Sequence, residues 1–324
     1  MDLKAQGVRL SSPSVNLLMH FNAYNTNPRP RAGGFVQMEA FSKINLILHV
    51  LRKRHDGYHE LCSVMQALRL HDTVTIRVDD FDRSDIGFKL TCSDPALPTG
   101  DSNLVTRAAK YMMQEYGIAQ PVRIHLEKRI PVAAGLAGGS SDCAATILGL
   151  NNLFSLNIPL HSTQQTSLME IGRRFGADVP FCLIGGTALA EGIGEILTPL
   201  SPHPHCWVVL ACLDIPVSTA DIFGRFKIAA RTTDNLPAMI NALDNGDLQQ
   251  IAANFSNDLT WVTANMHPEI QHIINEINNQ GALGAAMSGS GPSVFGYFNS
   301  KETAVKAQEK LKRIAGKVFL TETM

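Results

Sequence analysis

The chain lacks an excess of charge of either sign, paired cysteines and any apolar run long enough to span a bilayer. With 28 Lys and Arg against 29 Asp and Glu, its net charge is −1, so it offers no basic stripe for nucleic acid and no polybasic face for a membrane. The six cysteines, Cys62, Cys92, Cys143, Cys182, Cys206 and Cys212, form no Cys-x-x-Cys pair and are widely spaced. That spacing excludes a disulfide framework and points to reduced thiols and a cytoplasmic location. His203, His205 and Cys206 lie close together, but Pro202 and Pro204 make the stretch a loop, and no metal site is expected there. Acids are scarce in residues 1–37, where Asp2 stands alone against Lys4, Arg9, Arg29 and Arg31. Without an amphipathic Arg-rich helix this segment reads as a leader, either a disordered tail or an early start ahead of Met38, rather than a transit peptide. Its removal is expected to leave folding and activity intact.

What is present is an ordinary globular composition, 45% hydrophobic and 18% charged over 324 residues, which is enough for two domains with their own cores. The most informative stretch is Pro131-Val132-Ala133-Ala134-Gly135-Leu136-Ala137-Gly138-Gly139-Ser140-Ser141-Asp142. Before it, Val122, Ile124 and Leu126 alternate with Arg123, His125 and Glu127, the period of a half-buried strand. After it, Ala144, Ile147 and Leu148 fall at helical spacing, with Ser140 or Ser141 available as a cap. A strand therefore runs through a Gly/Ser loop into a helix N-terminus. Such a loop lets backbone N–H groups approach an anion, and the helix end adds orphan donors and a partial positive charge. No Gly-Lys-Ser/Thr follows and the pattern is not Gly-x-Gly-x-x-Gly, so neither a Walker A loop nor a dinucleotide fold is indicated. The glycines alone read equally as a plain strand-to-helix turn.

Along the rest of the chain, regular pattern begins at Glu39, with a strand through Ile44, Leu46 and Leu48 and a turn at His55-Asp56-Gly57-Tyr58-His59. Val74, Ile76 and Val78 mark a strand, Leu104 to Tyr116 a helix capped by Ser102 or Asn103, and Leu168 to Phe175 a helix stopped by Gly176. Thr187 to Leu197 reads as a hairpin, and Pro199 to Pro204 as a domain boundary. Beyond it come a strand at 208–213, helical stretches near 219–229, 234–255 and 267–280, a glycine-rich loop at 281–291, a strand at 294–298, a helix through Ala304, Ala307 and Leu311, and a short strand at 318–320. Strands and helices mix without strict alternation, which indicates α+β.

Three stretches stand together: Phe41-Ser42-Lys43-Ile44-Asn45-Leu46, the Pro131–Asp142 loop, and Met287-Ser288-Gly289-Ser290-Gly291-Pro292-Ser293-Val294-Phe295. The set resembles the GHMP small-molecule kinases, the superfamily of galactokinase, homoserine kinase and mevalonate kinase. Asp56-Gly57-Tyr58-His59, Gly176-Ala177-Asp178-Val179-Pro180 and Glu191-Gly192-Ile193-Gly194-Glu195 narrow it to the branch whose substrate carries a cytidine diphosphate, and the likeness covers roughly residues 39–320. The resemblance implies a two-domain α+β fold with an active site in the cleft between the domains. An ATP-binding domain over 38–198 would be ribosomal protein S5 domain 2-like, and a domain over 199–324 ferredoxin-like. It further implies ATP-dependent phosphorylation of the 2-hydroxyl of 4-diphosphocytidyl-2-C-methyl-D-erythritol in the non-mevalonate isoprenoid pathway, with Mg²⁺ accompanying ATP. The implied partner is a small molecule, with no nucleic acid and no membrane, and the protein would be a monomer or weak homodimer.

The same resemblance assigns residues. Asp178 would be general base on the substrate hydroxyl, and Lys43 would hold it ionised and touch the transferring phosphoryl group, in keeping with what phosphoryl transfer asks of a site. Asn103, Leu104 and Lys128 would lie near the adenine. Pro131, Ala133, Ala134, Gly135, Leu136, Ala137, Gly138, Gly139, Ser140 and Ser141 would form the phosphate loop, with the alanines, glycine in some relatives, keeping φ < 0. Tyr58 and Phe223 would sandwich the cytosine with His59 and Thr219 beside it, and Asn45 would bond the erythritol side. No residue is assigned to the metal, which needs few protein ligands. Taken one at a time, Asp178 also reads as a helix N-cap, Lys43 as a solvated strand residue, Lys128 as a strand-end charge, Tyr58 and His59 as turn residues and Phe223 as helix core. A kinase of the mevalonate or homoserine type, a non-catalytic ligand sensor and a diphosphomevalonate decarboxylase are the alternatives in function. The cytidine-binding turn and the retained Lys43 and Asp178 speak against them.

Overall fold

In a computed structural model the backbone of 21–24 and residues 33–79, 87–227 and 235–324 are described. They form two compact units, each discontinuous in sequence: Ala67–Gly185 with the segment ending at Ile44, and Asn45–Gln66 with Gly186–Met324. This differs from a single sequential break at Pro199–Pro204. The reason lies in β2 (Phe35–Lys53) and β3 (His59–Val78), two strands long enough to contribute residues to both units.

In the first unit, β1 (Phe21–Tyr24) pairs antiparallel with the start of β2, Phe21 opposite Met38. β5 (Val122–Glu127) pairs antiparallel with β3, Val78 opposite Val122, and β4 (Phe88–Cys92) runs parallel to β5. The period of two works as read: Val74, Ile76, Val78, Val122, Ile124 and Leu126 are all 2% exposed or less. Against this layer lie α1 (Leu104–Glu115), α2 (Gly138–Leu153), α3 (Leu168–Arg173) and α4 (Val179–Ile184). α2 is apolar nearly all round and packs close to β3. A Cβ on Gly149 would stand 2.6 Å from Ile76 Cδ1, so any larger residue there would have to push the Ile76 side chain aside.

In the second unit, β6 (Thr187–Gly192) pairs antiparallel with β3 and forms a hairpin with β7 (Ile196–Pro199), and the short β9 (Ser256–Asn257) runs parallel to β2, Ile47 opposite Ser256. A separate antiparallel sheet follows the order β10 (Gly284–Met287), β11 (Ser293–Phe298), β8 (Trp207–Cys212), β12 (Lys317–Glu322). With helices between β8 and β10 and between β11 and β12, this is a ferredoxin-like arrangement. α9 (Glu269–Asn279) packs Ile270, Ile273, Ile274 and Ile277 into its core, and α10 (Lys301–Leu311) packs Ala304, Ala307 and Leu311.

Several sequence expectations are corrected. Regular structure starts inside 1–37: β2 begins at Phe35, Val36 is 1% exposed, and Gly33 and Gly34 exchange backbone hydrogen bonds with Val78. Phe35 to Gln37 is therefore part of the fold, while residues 1–20 and 25–32 lie outside the described residues. The stretch 234–255 is two helices, α6 (Leu236–Asp244) and α7 (Leu248–Ala253), broken at Gly246 with φ +62°. The sequence pattern does not show α8 (Thr260–Met266), because Thr260, Trp261, Val262 and Thr263 are poor helix formers. Nor does it show β4 or β10; β10 occupies part of the stretch 281–291 expected as a loop. All six cysteines are free thiols, no described helix is long and apolar enough to cross a membrane, and no metal-ligating cluster occurs among the described residues.

Candidate active site

The segment between β5 and α2 forms a tight loop whose backbone is the first functional element. Its helix starts at Gly138 with Ala137 as N-cap, and neither Ser140 nor Ser141 caps it. Ala137 is left-handed at φ 58°, ψ 26°, and Ala133 has φ 53°, so two of the three alanines depart from the expected φ < 0. Each costs about 1–2 kcal/mol relative to a right-handed conformation, a strain that the surrounding packing must hold. Lys43 N–H donates to Leu136 O at 3.1 Å, tying the loop to β2. Gly139 is exposed and Ser140 half-buried, so the first turn of α2 presents its orphan N–H groups and one hydroxyl to solvent. Ser141 is fully buried and its Oγ donates to Gly138 O at 2.8 Å, which leaves Ser140 as the accessible hydroxyl. Leu104 lies against Gly139, and Ser140 lies beside Gly176.

Lys43 and Asp178 meet. Lys43 Nζ stands 3.8 Å from Asp178 Oδ2, with the lysine side chain 5% exposed and the aspartate 32%. Asp178 occupies the N-cap position of α4, but its side chain makes no cap hydrogen bond. The geometry thus favours an ion pair over a cap. In such a pair the partly open carboxylate can accept a hydroxyl proton, and the nearly dry ammonium can steady phosphoryl charge.

The adenine-side candidates are firmly held. Asn103 caps α1, its Oδ1 accepting from Val105 N at 2.9 Å and its Nδ2 donating to Pro98 O at 2.8 Å. Lys128 is no solvated strand-end charge. Its ammonium is buried between Asp72 and Asp142, bonding both. Burial opposes its charge, but its two acidic partners, Asp142 and Asp72, outweigh burial and hold its pKa above the ordinary value.

In the second unit a cavity of about 500 Å³ is lined by Lys53, Gly57, Tyr58, His59, Thr219 and Phe223, among others. The turn that builds it is locked by Asp56, which accepts from Tyr58 N at 3.1 Å and from Arg54 Nε at 3.0 Å. Gly57, at φ +89°, makes the reversal. The Arg54 hydrogen bond holds the Asp56 carboxyl below its usual range. On α5 (Thr219–Arg225), Ile222 enters the core while Phe223 faces the cavity, its ring centroid 5.2 Å from that of His59. Tyr58 is 61% exposed at the opening. Burial, and then the charge of Lys53, lowers the His59 pKa, so the imidazole is neutral at pH 7 and can both donate and accept. Thr219 Oγ1 is 2.9 Å from Ser290 Oγ. Asn45, two residues beyond Lys43, is built into the frame: Nδ2 donates to Ser63 Oγ at 2.8 Å, and Oδ1 accepts from Gly289 N at 3.1 Å.

The model of the GHMP kinases N terminal domain matches residues 103–186, and that of the GHMP kinases C terminal matches 239–317. The chain is 44% identical to a 4-diphosphocytidyl-2-C-methyl-D-erythritol kinase of Caldicellulosiruptor bescii over 89% of its length and 98% of the relative's. It belongs to the GHMP kinase family. A relative of the same name from Acetivibrio thermocellus is 43% identical, over 89% of this chain and 99% of the other. A crystal structure of 4-(cytidine 5'-diphospho)-2C-methyl-D-erythritol kinase superposes with a TM-score of 0.74 at 31% identity, covering 89% of this chain and 98% of that one. A homoserine kinase from Cytophaga hutchinsonii shares the fold, with a TM-score of 0.69 at 19% identity over 94% and 97% of the chains.

Within this GHMP kinase, Lys43, the 131–141 loop, Leu104 and Asp178 come together in one unit, and Tyr58, His59, Thr219 and Phe223 in the other. Sequence reasoning passed over Lys53, though the basic run Arg52-Lys53-Arg54 just before Asp56-Gly57 was a visible signal. It also passed over Asp72, a single acid at the end of an apolar strand pattern, which carries no signal of its own.

Proposed function

We propose that this chain is an ATP-dependent kinase that phosphorylates the 2-hydroxyl of 4-diphosphocytidyl-2-C-methyl-D-erythritol. The observation that carries the proposal is the pair of Asp178 with Lys43, whose strand is bonded to the phosphate loop. The relatives named for this reaction supply the substrate. The nucleotide's phosphates lie on the N–H groups of Gly138, Gly139 and Ser140 at the start of α2. Asp178 takes the proton of the attacking hydroxyl, its oxygen bonds to the γ-phosphorus, and ADP leaves. Lys43, 3.8 Å from Asp178, steadies charge on the transferring group. Mg²⁺, when bound with ATP, would neutralise charge on the phosphate oxygens and take its ligands mainly from them and from water, so it would ask few ligands of the protein. Tyr58 and Phe223 take the faces of the cytosine, worth about 1–3 kcal/mol for a stacked base, and neutral His59 addresses its hydrogen-bonding edge. We place the enzyme in the cytoplasm, as a monomer or weak homodimer. The test is ADP release with a panel of alcohols. Turnover of the cytidylyl alcohol alone supports the reading; comparable turnover of mevalonate or homoserine overturns it.

A further inference from the structure

Beneath the phosphate loop lies a buried charge cluster that the chemistry above does not use. Asp72 on β3 is 0% exposed, Lys128 7% and Asp142, in the second turn of α2, 4%. Asp72 Oδ1 accepts from the backbone N–H groups of Arg129 and Ile130, and its Oδ2 from Lys128 Nζ. Lys128 Nζ also donates to Asp142 Oδ2 at 2.8 Å. One end of segment 128–142 is thus pinned to β3, and its other end to the same ammonium. That ammonium sits directly under the helix start, 3.4 Å from where a Cβ on Gly138 would be.

Two carboxylates face one ammonium. Asp142 Oδ1 is buried with no hydrogen-bond partner among the described residues. A carboxylate oxygen carrying charge in such a place would lack every donor it needs, whereas a protonated oxygen leaves only a neutral group unsatisfied. We propose that Asp142, carrying its proton, is a positioning residue for nucleotide binding: through Lys128 and Asp72 it fixes both ends of the loop and keeps the cluster neutral beneath the bound phosphates. Loss of the proton leaves a net negative charge under the helix N-terminus where a polyanion must sit, and weakens its binding. Burial, against the pull of Lys128, raises the Asp142 carboxyl to about 8, in the range where this matters. The other groups around it are Cys143 on its own helix, Cys182 on α4, Arg107 on α1, and Lys43 with Asp178. Both thiols are pushed above their ordinary range by burial and stay protonated.

The proposal rests on loop 131–141 being the nucleotide's phosphate site, and its test needs no second substrate. The dissociation constant of Mg·ADP is measured between pH 7 and 8.5 on the full chain and on Asp142→Asn, whose amide imitates the protonated acid. The wild type should weaken about fourfold across that range if only the protonated form binds, and Asp142→Asn should stay flat. Equal weakening in both overturns the proposal. Calorimetry of the wild type in two buffers of different ionisation heat decides the matter even if the variant fails to fold. Uptake of about half a proton at pH 8 supports it, and no uptake refutes it. Tight binding that ignores pH would leave the phosphate site standing without Asp142's role; no binding at any pH would defeat the site itself.

Discussion

Replacing Asp178 by Asn separates the chemistry of this site from its architecture. Asn keeps the shape of the side chain and removes both its charge and its capacity to take a proton. At 3.8 Å the pair with Lys43 is worth about 1 kcal/mol in water and about 4 kcal/mol at an effective dielectric of 20. Lys43 is 5% exposed and Asp178 32%, so the loss in folding stability should fall between those bounds. The rate effect is separate. A positioned base contributes about 10²–10⁴-fold, or roughly 3–5 kcal/mol of barrier. Among the described residues the Asp178 carboxylate pairs with Lys43 and caps no backbone N–H, so nucleotide affinity should stay within about threefold. The assay is kcat by coupled ADP release with the cytidylyl alcohol, beside direct Mg·ADP binding. Lys43→Met should lose a similar factor, and the double variant little more than the worse single one, because the two act as a unit. A kcat within tenfold of wild type, or losses that multiply, would refute the assignment.

Three further outcomes are expected. Ala133→Gly and Ala137→Gly each relieve a left-handed alanine, a gain of about 1–2 kcal/mol less the roughly 0.4–1 kcal/mol that glycine adds in unfolded-chain entropy, so each should raise the denaturation midpoint modestly; a lowered midpoint would show that the Cβ atoms pack favourably. KM for the cytidylyl alcohol should be flat from pH 7 to 9 and rise only below the ordinary range of His59, whose depressed pKa keeps it neutral until then. Lys53→Met removes one cause of that depression and should move the acid rise to higher pH, so an unmoved profile would exclude His59. Deleting residues 1–37 strips Val36, 1% exposed, and two backbone hydrogen bonds to Val78, which should cost about 2–6 kcal/mol and lower the apparent melting temperature; an unchanged melting curve would make the segment dispensable after all.

Local signals in the sequence carried far where one residue type has one use. The alternation in Val122, Ile124 and Leu126 marked β5, and Asp56-Gly57 marked the turn that builds the cavity, because both depend on neighbours within a few positions. Legibility failed where the cause is distant. Nothing near Lys128 or Asp142 says that Asp72, 56 residues before the lysine, completes their cluster. Nothing in Ala133 or Ala137 shows that the hydrogen bond from Lys43 to Leu136 and the packing of α2 will hold them left-handed. Alanine in a left-handed cap breaks the local preference for glycine, and a buried acid with an empty oxygen breaks the rule that buried polar atoms are paired. Both violations fall in the loop that we assign to nucleotide phosphates or directly beneath it. Strain and an unsatisfied group on one loop fit a part shaped for a ligand better than one optimised for stability alone, since selection tolerates such costs where binding returns more than folding loses.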